Sequence, residues 1–448
     1  MMLRRALTLL LGAGLSVMAP EAVTGQEPSP PAITPTVPGR SQATPYQPPF
    51  SPLFGPYTTP PTEASAGQPP RPPYMGRGGR APTPEEQREQ FVITPSILID
   101  EAYTDNVFLD NDFKRSDFIT GFTPGLLAGF RMPDFGISLG YVFTSEIYAN
   151  ETQLNDALAR WAATAAAFYQ FGPRLKFNVA GGYLEDNNTT ASGIAGISTG
   201  RTRSRGGFAT AGGTWQFDAL TTIQLAGQWF AQSFDPDPFV ATTVNNYQSY
   251  SILPTVTRRI TPTLTGLFQY QYLHQITDGG DDGEYHLLLP GVNYQITPNL
   301  SGSLSLGPQI VTQGQTGTSL AVQLGLTQQF SWASVGLSYS RAEAPNGGLG
   351  GTSETNTVSL TAIATNVLLQ GLTISVTPSF TNADGGVTLG TTNSVNIQLL
   401  ATYPITRWML AVLAYDFYHQ RTNGTALNDV DVNRVTLGVQ LFQPVRLR

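Results

Sequence analysis

The chain has 448 residues, of which 12% are charged, about half the share usual in soluble domains. No apolar stretch reaches roughly 18 residues, which excludes an ordinary helical membrane protein. The lack of cysteine excludes disulfides and thiolate metal sites, and the net charge of −7 argues against nucleic acid as a partner.

Residues 1–25 have the pattern of a secretory signal peptide. Arg4 and Arg5 form a basic start, residues 6–17 form an apolar core too short to span a bilayer, and Val23 and Gly25 precede a plausible cleavage site before Gln26. Since no cysteine follows, the chain is not a lipoprotein. An exported, cysteine-free chain rich in strand patterns predicts localisation in the bacterial outer membrane.

Residues 26–90 hold 18 of the 34 prolines and too few apolar residues to build a core. This composition predicts a disordered, extended periplasmic segment. It is either a passive linker or a tether for a partner or the cell wall. The barrel domain described next is predicted to span residues 91–448.

Strand-like alternation recurs from residue 92 to the C-terminus. In residues 300–310, Leu300, Leu304 and Leu306 share one parity, and Ser301, Ser303 and Ser305 share the other. Successive side chains of a strand point to opposite faces, so this stretch has an apolar face and a hydroxyl-rich face. The pattern predicts an all-β fold, a transmembrane antiparallel up-and-down β-barrel of about 18 strands. Two strands are clear, at 135–147 and 220–232. The alanine-rich segment 157–171 could be misread as a helix, but its neighbours and its turn favour a strand. Further strands are predicted at 175–184, 247–260, 263–275, 319–330, 333–341, 372–381, 393–404 and 433–443.

The connections between these strands alternate in length. Outer-membrane barrels have short periplasmic turns and long external loops. Both ends of the barrel are therefore predicted on the periplasmic side, which requires an even number of strands. Short turns are predicted near 133–134, 172–173, 218–219, 261–262, 297–298, 331–332, 369–371 and 405–406. Long loops are predicted near 104–116, 149–156, 185–203, 235–246, 276–284, 313–318, 342–355, 382–392 and 421–432.

Two residue types give further architectural signals. The five tryptophans fall near predicted strand ends, which is typical of two interfacial aromatic girdles; they are Trp161, Trp215, Trp229, Trp332 and Trp408. Six prolines fall inside predicted strands, four of them in similar local sequences, which predicts a repeated bulge or bend. These prolines are Pro95, Pro124, Pro254, Pro290, Pro308 and Pro378.

Signals for catalysis or metal binding are weak. His274 and His286 flank one loop near Ser249 and Ser251, but parity places both histidines on the lipid-facing side, so we predict no enzyme, no catalytic residues and no cofactor. The acidic 278–284 loop lacks the spacing of an EF-hand. It is either a solvated loop or a site where divalent cations bridge to lipopolysaccharide. Acidic residues collect in the long loops and arginines at the short-turn end.

The predicted inward parity is mostly neutral, with hydroxyl and amide side chains. Such groups exchange hydrogen bonds with sugar hydroxyls without tight binding, and they also suit a nonspecific wet wall. About 18 strands would enclose an aqueous channel unless loops or the N-terminal segment fill it. The lumen-lining candidates are Arg160, Lys176, Gln224, Gln228, Arg259, Gln269, Gln271, Ser301, Ser303, Ser305, Gln323, Asn396, Gln398 and Arg434.

The first predicted hairpin carries a family resemblance. Residues Asp105-Asn106-Val107-Phe108, Ser116-Asp117-Phe118-Ile119 and Thr123-Pro124-Gly125-Leu126 resemble the start of the β-barrel porin 2 family. The resemblance covers residues 97–445 and implies an outer-membrane barrel that accompanies exopolysaccharide or capsule export. Many outer-membrane barrels end on an aromatic residue read by the assembly machinery, whereas here six residues follow Phe442.

The leading functional prediction is an outer-membrane channel that conducts an exopolysaccharide outward by passive transport. A general diffusion porin for small solutes is the first alternative, and a non-conducting structural or adhesive barrel is the second. The predicted partners are outer-membrane lipid and lipopolysaccharide, the barrel assembly machinery and a periplasmic polysaccharide-export component.

Overall fold

The computed structural model describes residues 90–112, 114–189, 198, 202–235, 245–280, 282–313, 316–345, 352–385, 390–423 and 429–447. The predicted signal peptide and nearly all of the proline-rich segment lie outside these ranges. Within them, no helix is both long enough and apolar enough to cross a membrane.

The described residues form eighteen long strands, one short strand and one turn of 3-10 helix. The alternating patterns and the turn residues between them account for this content. The strands are β1 (Gln90–Thr104), β2 (Asp117–Arg131), β3 (Phe135–Tyr148), β4 (Asp156–Phe171), β5 (Leu175–Thr189), β6 (Thr202–Gln216), β7 (Thr221–Phe234), β8 (Tyr247–Arg259), β9 (Leu264–Thr277), β10 (Gly283–Thr297), β11 (Leu300–Gln313), β12 (Gly317–Gln329), β13 (Ala333–Pro345), β14 (Thr352–Thr365), β15 (Thr373–Asp384), β16 (Thr391–Thr406), β17 (Met409–Thr422), β18 (Val430–Phe442) and β19 (Val445–Leu447); the 3-10 helix is η1 (Thr152–Leu154).

The sheet closes on itself. Each long strand pairs antiparallel with the next along the chain, and β1 pairs with both β2 and β18. The short β19 continues the pairing with β1, from Phe91↔Leu447 to Ile93↔Val445. The predicted barrel of eighteen antiparallel strands is confirmed, including the strand formed by the alanine-rich segment, which is β4.

The two ends of the barrel differ in their connections. The predicted short turns are confirmed, with the last shifted by two residues to 407–408, and both chain ends of the barrel lie at that end. Several predicted long loops were wrong in length, because 278–282 and 314–316 alone connect β9 to β10 and β11 to β12. Pairing continues beyond the alternating region, as in His274↔Glu284, since polar side chains can occupy both faces of a strand near the rim.

One face of the wall carries exposed apolar side chains. With the exception of Leu158 on β4, where the register against β3 shifts, the exposed large side chains within a strand share one parity, for example Leu304 and Leu306 on β11 and Leu324 and Leu326 on β12. Side chains of the opposite parity point into the barrel, as Ser303 and Ser305 do. A continuous apolar outer surface of this extent is unfavourable in water and suits a bilayer.

The prolines inside strands interrupt the ladder without forming a bulge. At Pro124, the pairs Phe122↔Ser145 and Gly125↔Val142 flank a gap, and the register is the same on both sides. Similar gaps occur at Pro254, Pro290 and Pro378 on the side that lacks the N–H. The predicted bulge is therefore wrong, whereas the alternative, a bend, stays a prediction. All six intra-strand prolines share the outward parity. The backbone hydrogen bonds that they cannot donate are therefore lost at residues whose side chains face away from the lumen.

Candidate transport pathway

The strand register places every lumen-lining candidate on the inward face. On β4 and β5, Arg160 and Lys176 alternate with outward Trp161 and Phe177. On β7, Gln224 and Gln228 alternate with outward Leu225 and are followed by outward Trp229. The others also share inward parity, and their part in transport stays a prediction: Arg259, Gln269, Gln271, Ser301, Ser303, Ser305, Gln323, Asn396, Gln398 and Arg434.

A buried ion pair lies on the inward face of β3 and β4. Arg160 Nη2 lies 2.6 Å from Glu146 Oε1, and the side chains are 12% and 1% exposed. The Tyr148 hydroxyl donates to the other oxygen of Glu146 at 2.7 Å. Asp186, directly opposite Arg160 on β5, adds a second negative charge within electrostatic range of the guanidinium. The positive charge of Arg160 is thus compensated on both sides.

Asp100 on β1 occupies a gap made by two glycines. Its cross-strand neighbours are Gly121 on β2 and Gly438 on β18. A Cβ at Gly121 would lie 2.6 Å from Asp100 Oδ1, and a Cβ at Gly438 would lie 2.9 Å from Asp100 Cβ. The carboxylate therefore lies against the wall where neither neighbouring strand carries a side chain, within electrostatic range of Arg434 and Arg160.

Asp416 and Arg434 are direct cross-strand neighbours on β17 and β18, again on the inward face. They lie in electrostatic range of each other but are not within ion-pair distance. Among the described residues, neither Asp100 nor Asp416 has a hydrogen bond or a salt bridge. We name Asp416, Arg434, Asp100, Glu146, Arg160 and Asp186 the charged arc; it follows the inner wall from β17 through β1 to β5.

The rest of the inner wall is nearly uncharged. In the described inward positions of β6 to β16, Arg259 is the single Asp, Glu, Lys or Arg. Hydroxyl and amide side chains dominate instead, as in the serines of β11 and the facing Gln323 of β12. Arg259 lies at the short-turn end of its strand, as do inward Arg131 and Lys176. The lumen therefore has a charged side and a neutral, hydrogen-bonding side.

Ser198, the one described residue between β5 and β6, contacts inward side chains of β17. Ser198 is 1% exposed, and its backbone N–H donates to Gln420 Oε1 at 2.8 Å. Gln420 Nε2 donates back to the Ser198 carbonyl at 3.0 Å. Gln420 and Tyr418 are inward residues of β17, a strand that is not adjacent to β5 or β6 in the barrel. Because Ser198 contacts the inner face of a non-adjacent strand, it reduces the free cross-section there.

The structure gives the positions of the five tryptophans, and their role as girdles stays a prediction. Trp161 and Trp229 are outward residues in the halves of β4 and β7 remote from the short turns, while Trp215 ends β6 beside a short turn. Trp332 and Trp408 lie in short turns and are about half exposed. Trp161 also packs on Tyr183, with ring centroids 5.0 Å apart. Their contact with a membrane interface stays a prediction.

The structure separates the histidine and serine residues that could have formed a hydrolase site. His274 and His286 face outward, where the Tyr270 hydroxyl and His286 Nδ1 lie 2.8 Å apart. Ser249 and Ser251 have inward parity on β8. The two groups therefore lie on opposite sides of the wall. His419 also faces outward and pairs with Asp431.

The acidic 278–284 segment uses its described side chains locally. Asp282 Oδ1 accepts from the Thr277 N–H at 3.1 Å, and Glu284 accepts from the Tyr272 and Thr312 hydroxyls. In the part of the chain that is described, no three His, Cys, Asp or Glu side chains are arranged to hold a metal ion. The lipopolysaccharide bridge stays a prediction.

Sequence reasoning identified two of the six residues of the charged arc, Arg160 and Arg434. Glu146 could have been found, because its parity in the predicted 135–147 strand is inward. Asp100 and Asp416 lie among apolar residues of their own parity, so alternation gave no signal. The Ser198 contact joins residues more than two hundred positions apart, which no local pattern indicates.

Comparison with known proteins adds little to the assignment. No protein-family model matches the chain, and no curated protein matches it. Among solved structures, OpdL of Pseudomonas aeruginosa shares 13% identity over 80% of this chain and 99% of its own, with a TM-score of 0.43. OccAB4 of Acinetobacter baumannii shares 12% identity over 81% and 100%, with a TM-score of 0.46. OprD of Pseudomonas aeruginosa shares 11% over 80% and 96%, with a TM-score of 0.42.

At these identities and scores, neither family membership nor substrate passes to this chain. The barrel is defined by the chain's own strand pairing, and the resemblance of its first hairpin to the β-barrel porin 2 family has no matching family model behind it.

Proposed function

We propose that this protein is a channel of the bacterial outer membrane through which small polar solutes diffuse passively. The observation that carries the proposal is the division of the barrel wall into an apolar outer face and a polar inner face. An apolar outer face suits lipid, and barrels of about 16–18 strands commonly leave an aqueous lumen. The predicted signal peptide supports export to that membrane.

Small solutes fit the inner wall better than a bulky polymer does. Ser198 is held against β17 from inside the lumen, so an extended chain would meet a narrowed passage. The charged arc adds fixed charges beside this contact, which favours discrimination among small solutes by charge. The Ser198 contact and the charged arc therefore favour small-solute diffusion over polysaccharide export.

Export of an exopolysaccharide remains the second candidate, and one observation favours it. The inner wall of β6 to β16 presents serine, threonine, glutamine and asparagine over a broad area. Such groups offer donors and acceptors to sugar hydroxyls without a fixed charge. The sequence-based prediction of a periplasmic export partner belongs to this candidate.

Planar-bilayer recordings of the purified protein test both candidates. A steady conductance, unaffected by the secreted polysaccharide of the source organism, supports small-solute diffusion. Transient block by that polysaccharide from the short-turn side supports export. Folded barrels that never conduct would refute both and leave a structural or adhesive role, with the proline-rich segment as the next part to test.

A further inference from the structure

The charged arc is not electrically balanced. It contains four carboxylates and two guanidinium groups, and Glu146 and Asp186 flank the Arg160 guanidinium. These three residues carry one excess negative charge, and Arg434 with Asp100 and Asp416 carries another. This excess lies on the inner wall, away from the three inward cations at the short-turn end.

The two remaining carboxylates are partly buried on the inner face of the barrel. Asp100 and Asp416 have neither a hydrogen bond nor an ion pair with any described residue. The glycines beside Asp100 leave room for its carboxylate against the wall, because a Cβ at Gly121 would lie only 2.6 Å from Asp100 Oδ1. A carboxylate without a partner in a lumen bounded by low-dielectric walls attracts cations more strongly than the same group in bulk water.

The opposite wall suits the donors that an organic cation carries. An ammonium group has three N–H donors and no acceptor. A carboxylate of the charged arc can take one donor, and hydroxyl or amide oxygens of the neutral side can take others. Within the charged arc, a small anion would meet Arg434 beside two carboxylates that repel it, because Glu146 and Asp186 flank the other guanidinium, that of Arg160.

We propose that Asp100 and Asp416 make this pathway selective for cations, and that its preferred solutes carry an ammonium group. The proposal rests on the proposed channel function and specifies its substrate class. Arg434 opposes the two carboxylates and sets how strong the preference is.

Reversal potentials in a potassium chloride gradient test the proposal. The wild-type channel should pass potassium more readily than chloride, and ethylammonium should replace potassium with little loss of current. Asp100→Asn and Asp416→Asn should each lower the cation-to-anion permeability ratio, and the double variant should bring it to one or below. Arg434→Gln should raise the ratio.

Glu101→Gln is the matched control. Glu101 follows Asp100 directly, but it faces outward and accepts a hydrogen bond from the Thr120 hydroxyl, so the same charge change should leave the ratio unaltered. A wild-type channel selective for anions would overturn the proposal while leaving the channel function intact. The proposal would also be overturned, with the channel function intact, if D100N and D416N gave the same cation-to-anion permeability ratio as E101Q. A correctly folded barrel without conductance would refute the channel function itself.

Discussion

Arg160→Gln should destabilise the barrel strongly, because it leaves Glu146 without its counter-ion. Glu146 is 1% exposed, and Arg160 Nη2 lies 2.6 Å from its carboxylate. Removing one partner of a buried pair typically costs about 3–5 kcal/mol. The Tyr148 hydroxyl bond to Glu146 remains in the variant, which favours the lower end of that range.

A double-mutant cycle separates this penalty from loss of packing. Glu146→Gln combined with Arg160→Gln removes both charges, so the double variant should be more stable than Arg160→Gln alone. Arg341 and Glu354 provide a control pair at 2.8 Å whose side chains are 40% and 34% exposed. Arg341→Gln should cost far less than Arg160→Gln, since solvent screens an exposed pair.

Urea unfolding in lipid vesicles, followed by tryptophan fluorescence, measures these differences, and Trp161 adjoins the substituted residue. The reasoning is refuted if Arg160→Gln lowers the free energy of unfolding no more than Arg341→Gln does. It is also refuted if the double variant is less stable than Arg160→Gln.

Three further predictions use the same stability and conductance assays. Gly307→Ala should destabilise the barrel because a Cβ there would lie 1.9 Å from a backbone oxygen of β10. Gly336→Ala should be nearly neutral, because no atom lies closer than 3.9 Å to a Cβ at that position. Equal midpoints of urea unfolding for the two variants would contradict this prediction. Hydrogen bonding by the Leu220 N–H holds the pKa of Asp218, in the β6–β7 turn, below its unfolded value. The contribution of Asp218 to stability is therefore present above the unfolded pKa and lost as pH falls through the folded pKa. Asp218→Ala should therefore reduce the loss of unfolding free energy between neutral pH and roughly pH 3. An unchanged loss over this range would contradict the prediction. Gln420→Ala removes both side-chain hydrogen bonds to Ser198 and should raise single-channel conductance; an unchanged conductance would show that this contact does not narrow the pathway.

Strand positions could be predicted because alternation and turn chemistry are local. Leu300 to Ile310 show the period of two, and turns such as Gly172-Pro173 interrupt it. Loop lengths could not be predicted, because polar residues such as Glu284 and His286 lie on the outward face near the rim. The sequence there no longer alternates between polar and apolar residues, although the strand continues. At Pro290 the sequence predicts a disturbance, but only the register shows that pairing resumes unshifted on either side.

The pathway was less predictable than the fold. Parity alone placed Arg160 and Arg434 inside, and the register agrees with that placement. Their relation to Asp100 and Asp416 depends on the closure of β1 onto β18, which joins opposite ends of the chain. A pattern read along one strand cannot indicate which charges meet across that seam.

The seam between β1 and β18 has a consequence for biogenesis. Apart from the pairing of β1 with β18 and β19, each strand pair is a hairpin between consecutive segments, which can form as soon as its second strand is available. Closure alone joins segments separated by more than three hundred residues, so it must await the last part of the chain. A chain truncated before β18 would retain two unpaired sheet edges. Such a product should be bound by periplasmic chaperones and cleaved by periplasmic proteases. Only a chain that includes its C-terminal strands can close the barrel and avoid this outcome.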